Sequence, residues 1–289
     1  MSRQSAGERG GALPLVSRLP LLLLFLALPG CGDSGPTDLV QIWSWPGGTP
    51  ASQGLDQELL DNLTTQLGTG ELGPVSSVLI VRNGVLVHEE YFRGMDATQL
   101  HQIHSVTKSV ASALIGIAWD QGLIEDLQTP LLDFFPEYAE VENDGEWKRA
   151  MTLEHVLQMR TGIEWDEWDS ENNTWGEQGA QLWQSQDWIK YVLDQPMAAP
   201  PGTEWLYNTG ASVLLSGVLT NRAGLRTDGF AGAHLFGPMG IRNAIWYEGP
   251  MGVVSTGNGL MIRPRDMAKF GYLFLEGGVW PPSNERLIS

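Results

Sequence analysis

Beyond residue 50 the apolar positions recur with two periods, near four and near two, and each change of period marks an element. Leu55, Leu59, Leu63 and Leu67 repeat every four residues, which predicts an amphipathic helix over residues 52–67. Residues 76–81 and 85–91 are rich in β-branched side chains and flank Asn83-Gly84, the strongest short hairpin signal. Residues 105–119 return to the helical period, with Val106, Val110, Ala113, Leu114 and Ile117 apolar and Gly122 just past the end. The same spacing predicts helices at 152–159, 183–193, 211–220 and 265–275, and no internal repeat is present. A hairpin followed by a long helical stretch predicts a mixed α/β chain with a helical subdomain.

The first thirty residues follow another pattern. Arg3, Arg9 and Arg18 accompany an apolar run over 19–28 that is too short to span a bilayer. The run ends in Leu28-Pro29-Gly30-Cys31, and Cys31 is the only cysteine of the 289 residues. This layout resembles a bacterial lipobox, with Pro29 a departure from the usual residue. It implies a lipoprotein signal peptide at 1–30, lipid attachment at Cys31 and a lipid anchor on the exported side of a bacterial envelope. The alternative is an incidental thiol. Residues 31–50, with Gly32, Gly35, Pro36, Pro46, Gly47 and Gly48, predict a flexible tether, and 51–289 the folded domain.

Composition narrows the function classes. Hydrophobic residues make up 42%, enough for a core. The formal charge is −17; without residues 1–30 it is −19, from 14 basic and 33 acidic residues. Such a surface repels nucleic acid, which excludes that partner class. A lone cysteine excludes an internal disulfide and a multi-cysteine metal site.

The candidate chemistry lies in His104-Ser-Val-Thr-Lys108. A serine hydroxyl needs a partner to take its proton. Lys108, three residues after Ser105, shares its helix face. Burial would favour the neutral amine such a base requires. Ser105 also stands at the helix start, where unpaired N–H groups favour developing negative charge. Taken alone, Ser-x-x-Lys is equally well a helix cap followed by a solvated lysine. Downstream, Tyr207-Asn208-Thr209 precedes an apolar helix. The phenol could relay protons or simply pack. Asn208 or Thr209 could bond to substrate or to the lysine.

With these residues in view, the chain resembles the serine β-lactamase-related superfamily: class C β-lactamases, penicillin-binding DD-peptidases, related esterases and 6-aminohexanoate-oligomer hydrolases. The resemblance covers about residues 52–289 in consistent order. The hairpin at 76–91 and Ile103-His-Ser-Val-Thr-Lys-Ser-Val come first. Met151-Thr-Leu-Glu-His-Val-Leu-Gln-Met-Arg-Thr-Gly-Ile163 and the Tyr207 segment follow, then Asn258-Gly-Leu-Met-Ile-Arg-Pro-Arg-Asp-Met-Ala-Lys-Phe-Gly271. It implies a β-lactamase/transpeptidase-like α/β (α+β) fold, an antiparallel sheet flanked by helices plus a helical subdomain. It also implies Ser105 as acylated nucleophile, Lys108 as base and Tyr207 as second acid/base. The substrate would be a small molecule, peptide or ester, with no cofactor, and the membrane would be met only through the lipid anchor.

Two departures stand out. Thr209 occupies the asparagine position of the family's Tyr-x-Asn element, which puts the usual substrate-amide contact in doubt. The family's later Lys-Thr-Gly or His-x-Gly strand has no counterpart after Tyr207; His234-Leu-Phe-Gly237 comes too early. The expectation is therefore a domain lacking its later sheet strands, with 286–289 beginning a helix. A catalytically silent envelope lipoprotein that keeps the fold as a binding module is the alternative.

Weaker signals remain. Trp165, Trp168, Trp175, Trp183 and Trp188 would pack a helical subdomain or line an acyl site. Glu164, Asp166, Glu167, Asp169 and Glu171 lack the order of an EF-hand loop and read as a solvated acidic loop. His101 and His104 have no evident third ligand for a metal, and His104 could support the nucleophile or face solvent.

Overall fold

The computed structural model describes residues 43–289; the signal-like segment, Cys31 and the tether up to residue 42 lie outside the described residues. Helix α1 (Gln57–Thr69) is followed by the antiparallel pair β1 (Ser77–Arg82) and β2 (Val85–Tyr91). Strand β3 (His101–Gln102) leads into the central helix α2 (Val106–Asp120). The helical portion comprises α3 (Glu146–Ala150), α4 (Leu153–Leu157), α5 (Glu177–Gln184), α6 (Trp188–Asp194), α7 (Thr209–Ala223) and α8 (Thr227–Ala231), with the small pair β4 (Trp168–Asp169) and β5 (Thr174–Trp175) between α4 and α5. Then come β6 (Ile245–Trp246), β7 (Leu260–Ile262), α9 (Pro264–Leu275), β8 (Val279–Trp280) and β9 (Glu285–Arg286).

Local chemistry explains most boundaries. Asn83 and Gly84 both take positive φ, 52° and 74°, as a primed hairpin turn requires. Helix α1 starts at residue 57, five residues later than the period-four stripe alone predicts. A separate 3-10 turn over Ala51–Gln53 ends at left-handed Gly54, and Asp56 then caps the Glu58 and Leu59 N–H groups. The helix predicted over 183–193 is in fact two. Ser185 leaves helical ψ, and the Asp187 carboxylate caps the Lys190 N–H to start α6 afresh. The predicted helix start at 286–289 is also corrected: Glu285–Arg286 pairs with Val279–Trp280 in a hairpin.

Helix α2 crosses the middle of the molecule and packs on α7. Val110, Ala111, Leu114, Ile115 and Ala118 are almost wholly buried, so the helix is covered on several faces. With Phe134, Phe135, Leu153, Trp188, Val213, Leu214 and Val218 they form one apolar core. Each large side chain so buried contributes about 1.5–3 kcal/mol. In the three-stranded antiparallel sheet β3-β7-β6, β7 is the middle strand. The Thr107 hydroxyl accepts from the Leu260 N–H at 3.2 Å, tying the first turn of α2 to that strand. Helix α9 packs on β1.

Candidate active site

Chain direction reverses sharply at the β3–α2 junction. Ile103 N–H still bonds to the Leu260 carbonyl at 3.0 Å, and His104 then adopts a left-handed φ of 46°. Ser105 follows at the helix start, exposed, with its side chain making no capping bond. Its Oγ is thus free of the structural role that a serine at this position usually fills.

Two groups converge on that oxygen. The Tyr207 hydroxyl donates to Ser105 Oγ at 2.6 Å, and Lys108 Nζ lies 3.3 Å away. Lys108 Nζ also donates to Thr209 Oγ1 at 2.9 Å and to the Gly257 carbonyl at 2.7 Å, and sits 4.8 Å from the Tyr207 ring centroid. Burial pushes the Lys108 ammonium below lysine's ordinary range, against the opposing pull of the Tyr207 hydroxyl and of the Glu167 charge.

The structure therefore brings Ser105, Lys108, Tyr207 and Thr209 together. Asn208 goes elsewhere. Expected to face substrate or lysine, it is buried beneath α7, where its Oδ1 accepts from the Ala211 N–H at 2.7 Å. That corrects its placement: a short amide with extended backbone (φ −142°, ψ 102°) immediately before a helix is drawn into the cap.

Glu167 and Gly257 are the members that sequence reasoning missed. Glu167 was one of five acids in a run that reads as a solvated loop. Its neighbours behave largely as such a loop should: Asp166 caps Glu177, and Asp169 closes a turn onto Glu171 and Asn172. Glu167 alone turns inward. Its Oε2 accepts from the Thr209 N–H at 2.9 Å and the Trp165 indole N–H at 2.7 Å, and its Oε1 accepts from the Thr209 hydroxyl. Nothing in its residue type or spacing distinguishes it. Gly257 acts through its backbone carbonyl, which sequence does not display.

Beside His104 opens a cavity of about 370 Å³ lined by Gln102, His104, Trp175, Trp183, Tyr247 and Asn258. Trp175 meets Trp183 edge-on at 5.7 Å, Trp183 meets Trp188 at 4.9 Å, and Tyr247 stacks on Trp188 at 6.0 Å. Of the tryptophan cluster, Trp175 and Trp183 line this cavity, Trp165 and Trp188 are buried, and Trp168 is exposed. No carboxylate, ammonium or guanidinium lines it. Among the described residues no group of three His, Cys, Asp or Glu side chains is arranged to hold a metal ion.

Comparison with known proteins bears on the fold that carries this site. The family model described as Beta-lactamase matches residues 60–286. A 6-aminohexanoate-dimer hydrolase from Paenarthrobacter ureafaciens is 24% identical over 213 residues, 70% of this chain and 52% of the relative. The chain thus spans about half the length of that relative. Among solved structures, a Bacillus anthracis protein described as a 6-aminohexanoate-dimer hydrolase superposes with a TM-score of 0.69 at 21% identity, covering 86% of this chain and 66% of its own. A β-lactamase/D-alanine carboxypeptidase from Yersinia pestis, complexed with citrate, gives 0.56 at 18% identity, covering 76% and 69%. At these identities the structural likenesses establish a β-lactamase/transpeptidase-like fold and not a substrate.

Proposed function

The chain belongs to the Beta-lactamase family, and from that premise we propose that it is a serine hydrolase working through an acyl-enzyme on Ser105. The observation that carries this reading is the convergence of Tyr207 and Lys108 on one exposed serine oxygen, at 2.6 and 3.3 Å. Neutral Lys108 takes the Ser105 proton as Oγ bonds to the carbonyl carbon of an ester or amide. The tetrahedral intermediate collapses, its C–O or C–N bond breaks, and the leaving group receives a proton through Tyr207. Water then attacks the acyl carbon, gives its proton to the same pair, and frees Ser105. The positive end of α2 at Ser105 favours the oxyanion in both halves. The cavity beside His104, walled by Trp175, Trp183 and Tyr247 and lined by no carboxylate, ammonium or guanidinium, suits a neutral acyl group.

A fluorophosphonate probe tests the reading directly. The chain is expected to be labelled, and Ser105→Ala to lose the label altogether. Absence of label in the unaltered chain would favour a silent binding module instead, and label that survives Ser105→Ala would overturn Ser105 as the nucleophile.

Location rests on the first 31 residues alone. We place the protein at a bacterial envelope, lipid-anchored through Cys31 after removal of residues 1–30. Expressed in bacteria, the unaltered chain should sediment with membranes and Cys31→Ala should not. A Cys31→Ala protein that still sediments would sink the anchor.

A further inference from the structure

Resting on Lys108 as the base, we propose that Glu167 and Thr209 form a positioning pair that aims the lone pair of neutral Lys108 at Ser105. A carboxylate only accepts hydrogen bonds. Glu167 Oε2 is engaged by the Thr209 and Trp165 N–H groups, and Oε1 faces the Thr209 hydroxyl. The hydroxyl proton is thereby committed to Glu167, so Thr209 Oγ1 shows Lys108 only lone pairs. The Gly257 carbonyl likewise can only accept. A neutral amine has two N–H bonds, and these two acceptors, at 2.9 and 2.7 Å, claim both. What is left, the lone pair, faces Ser105 Oγ at 3.3 Å, since the Tyr207 hydroxyl beside it already donates its proton to Ser105. Ser105 can then donate to Lys108 while accepting from Tyr207. Once the proton has moved, the new N–H points where the lone pair did, and no partner has to turn.

This explains how threonine can stand where the Tyr-x-Asn element carries asparagine. An amide oxygen is an acceptor without assistance. A hydroxyl is both donor and acceptor, and it needs a carboxylate on its far side to fix its polarity.

Glu167→Gln tests the idea by exchanging one oxygen for NH2. The amide oxygen must stay with the two N–H donors, which sets the NH2 against Thr209 Oγ1. The hydroxyl proton is then released and can bond to the Lys108 lone pair, drawing it away from Ser105. Losing the nearby negative charge and gaining a donor both favour neutral lysine. The titratable groups facing Lys108 are Tyr207 and Glu167. Acylation needs neutral Lys108, so it rises as pH climbs through the lysine pKa, and a lower pKa carries that acid limb to lower pH.

The readout is the rate of Ser105 labelling by a fluorophosphonate against pH. Glu167→Gln is expected to cut the plateau about 10²-fold and to move the acid limb down. Loss of packing alone would not move the limb. Thr209→Val should lose a similar factor and Thr209→Ser should not, with thermal unfolding confirming that each is folded; this comparison stands even if Glu167→Gln does not fold. In a Thr209→Asn background, adding Glu167→Gln should cost less than threefold, because the amide needs no polarising partner. A Glu167→Gln rate within threefold of the unaltered chain, an unmoved limb, an active Thr209→Val, or a full cost in the asparagine background overturns the pair. If the unaltered chain is not labelled, the base reading fails first and the pair falls with it; labelling indifferent to Glu167→Gln overturns the pair alone.

Discussion

Thr209 and Asn208 are adjacent polar residues ahead of the same helix, and only one of them reaches the site. Extended backbone before a helix points the Asn208 side chain back at the Ala211 N–H, whereas Thr209, one residue into the helix, projects its hydroxyl between Lys108 and Glu167. Residue type allowed either to serve, and only the position of the helix start decides. Ser105 and Lys108 were legible because their relation is local: three residues apart at a helix start, they share a face whatever the rest of the chain does. Tyr207 became legible through order along the chain. Glu167 could not, because its value lies in a contact across 42 residues and its type is that of its solvated neighbours. The Glu167→Gln experiment is thus also a test of the part of the site that sequence could not display.

Elements with a strong local signal came through nearly unchanged. The hairpin at Asn83-Gly84, the central helix α2 and the C-terminal helix α9 lie within a residue or two of expectation. Several misplacements occur where a short cap or turn overrides apolar periodicity, as Asp187 does between α5 and α6. Glycine inside a helix separates the two kinds of information. Gly210 in α7 and Gly271 in α9 look alike in sequence, each costing helix stability of roughly 0.5–1 kcal/mol relative to alanine. In the structure a Cβ on Gly210 would stand 2.4 Å from the Trp165 ring and 2.9 Å from Val192, while one on Gly271 would meet nothing within 4 Å. Trp165 is the residue whose indole N–H holds Glu167. Gly271→Ala is therefore expected to stabilise by about 0.5–1 kcal/mol with labelling unchanged. Gly210→Ala should destabilise by about 1–3 kcal/mol and slow Ser105 labelling about tenfold through displaced Trp165. Denaturant unfolding of both variants decides it, and a neutral or stabilising Gly210→Ala would show that the Trp165 contact does not constrain the site.

Across the whole molecule, the site is assembled where four separate stretches meet: the β3–α2 junction, the inward-turned acid of the 164–171 loop, the turn before α7, and the backbone at Gly257 ahead of β7. That convergence is what sequence conveys least, since each stretch is ordinary alone. Net charge, by contrast, is read directly from composition, and its consequence depends on the cavity that composition cannot show. A chain of charge −17 carries a net negative field, and the cavity beside His104 is lined by no carboxylate, ammonium or guanidinium. A carboxylate on the acyl group is repelled on approach and finds no counter-ion on arrival. A neutral acyl group of the same shape meets neither penalty. Raising ionic strength from about 0.01 M to about 0.15 M shortens the Debye length from roughly 30 Å to roughly 8 Å, which removes most of the long-range repulsion and leaves the short-range deficit. With a matched pair of aryl esters, one bearing a terminal carboxylate on its acyl chain, kcat/KM for the anionic ester should rise several-fold across that range. The neutral ester should stay constant and remain the better substrate at both salts. Equal salt dependence for the two esters would show that the field of the surface does not reach the site, and an anionic ester that overtakes the neutral one would place a cation in the acyl site after all.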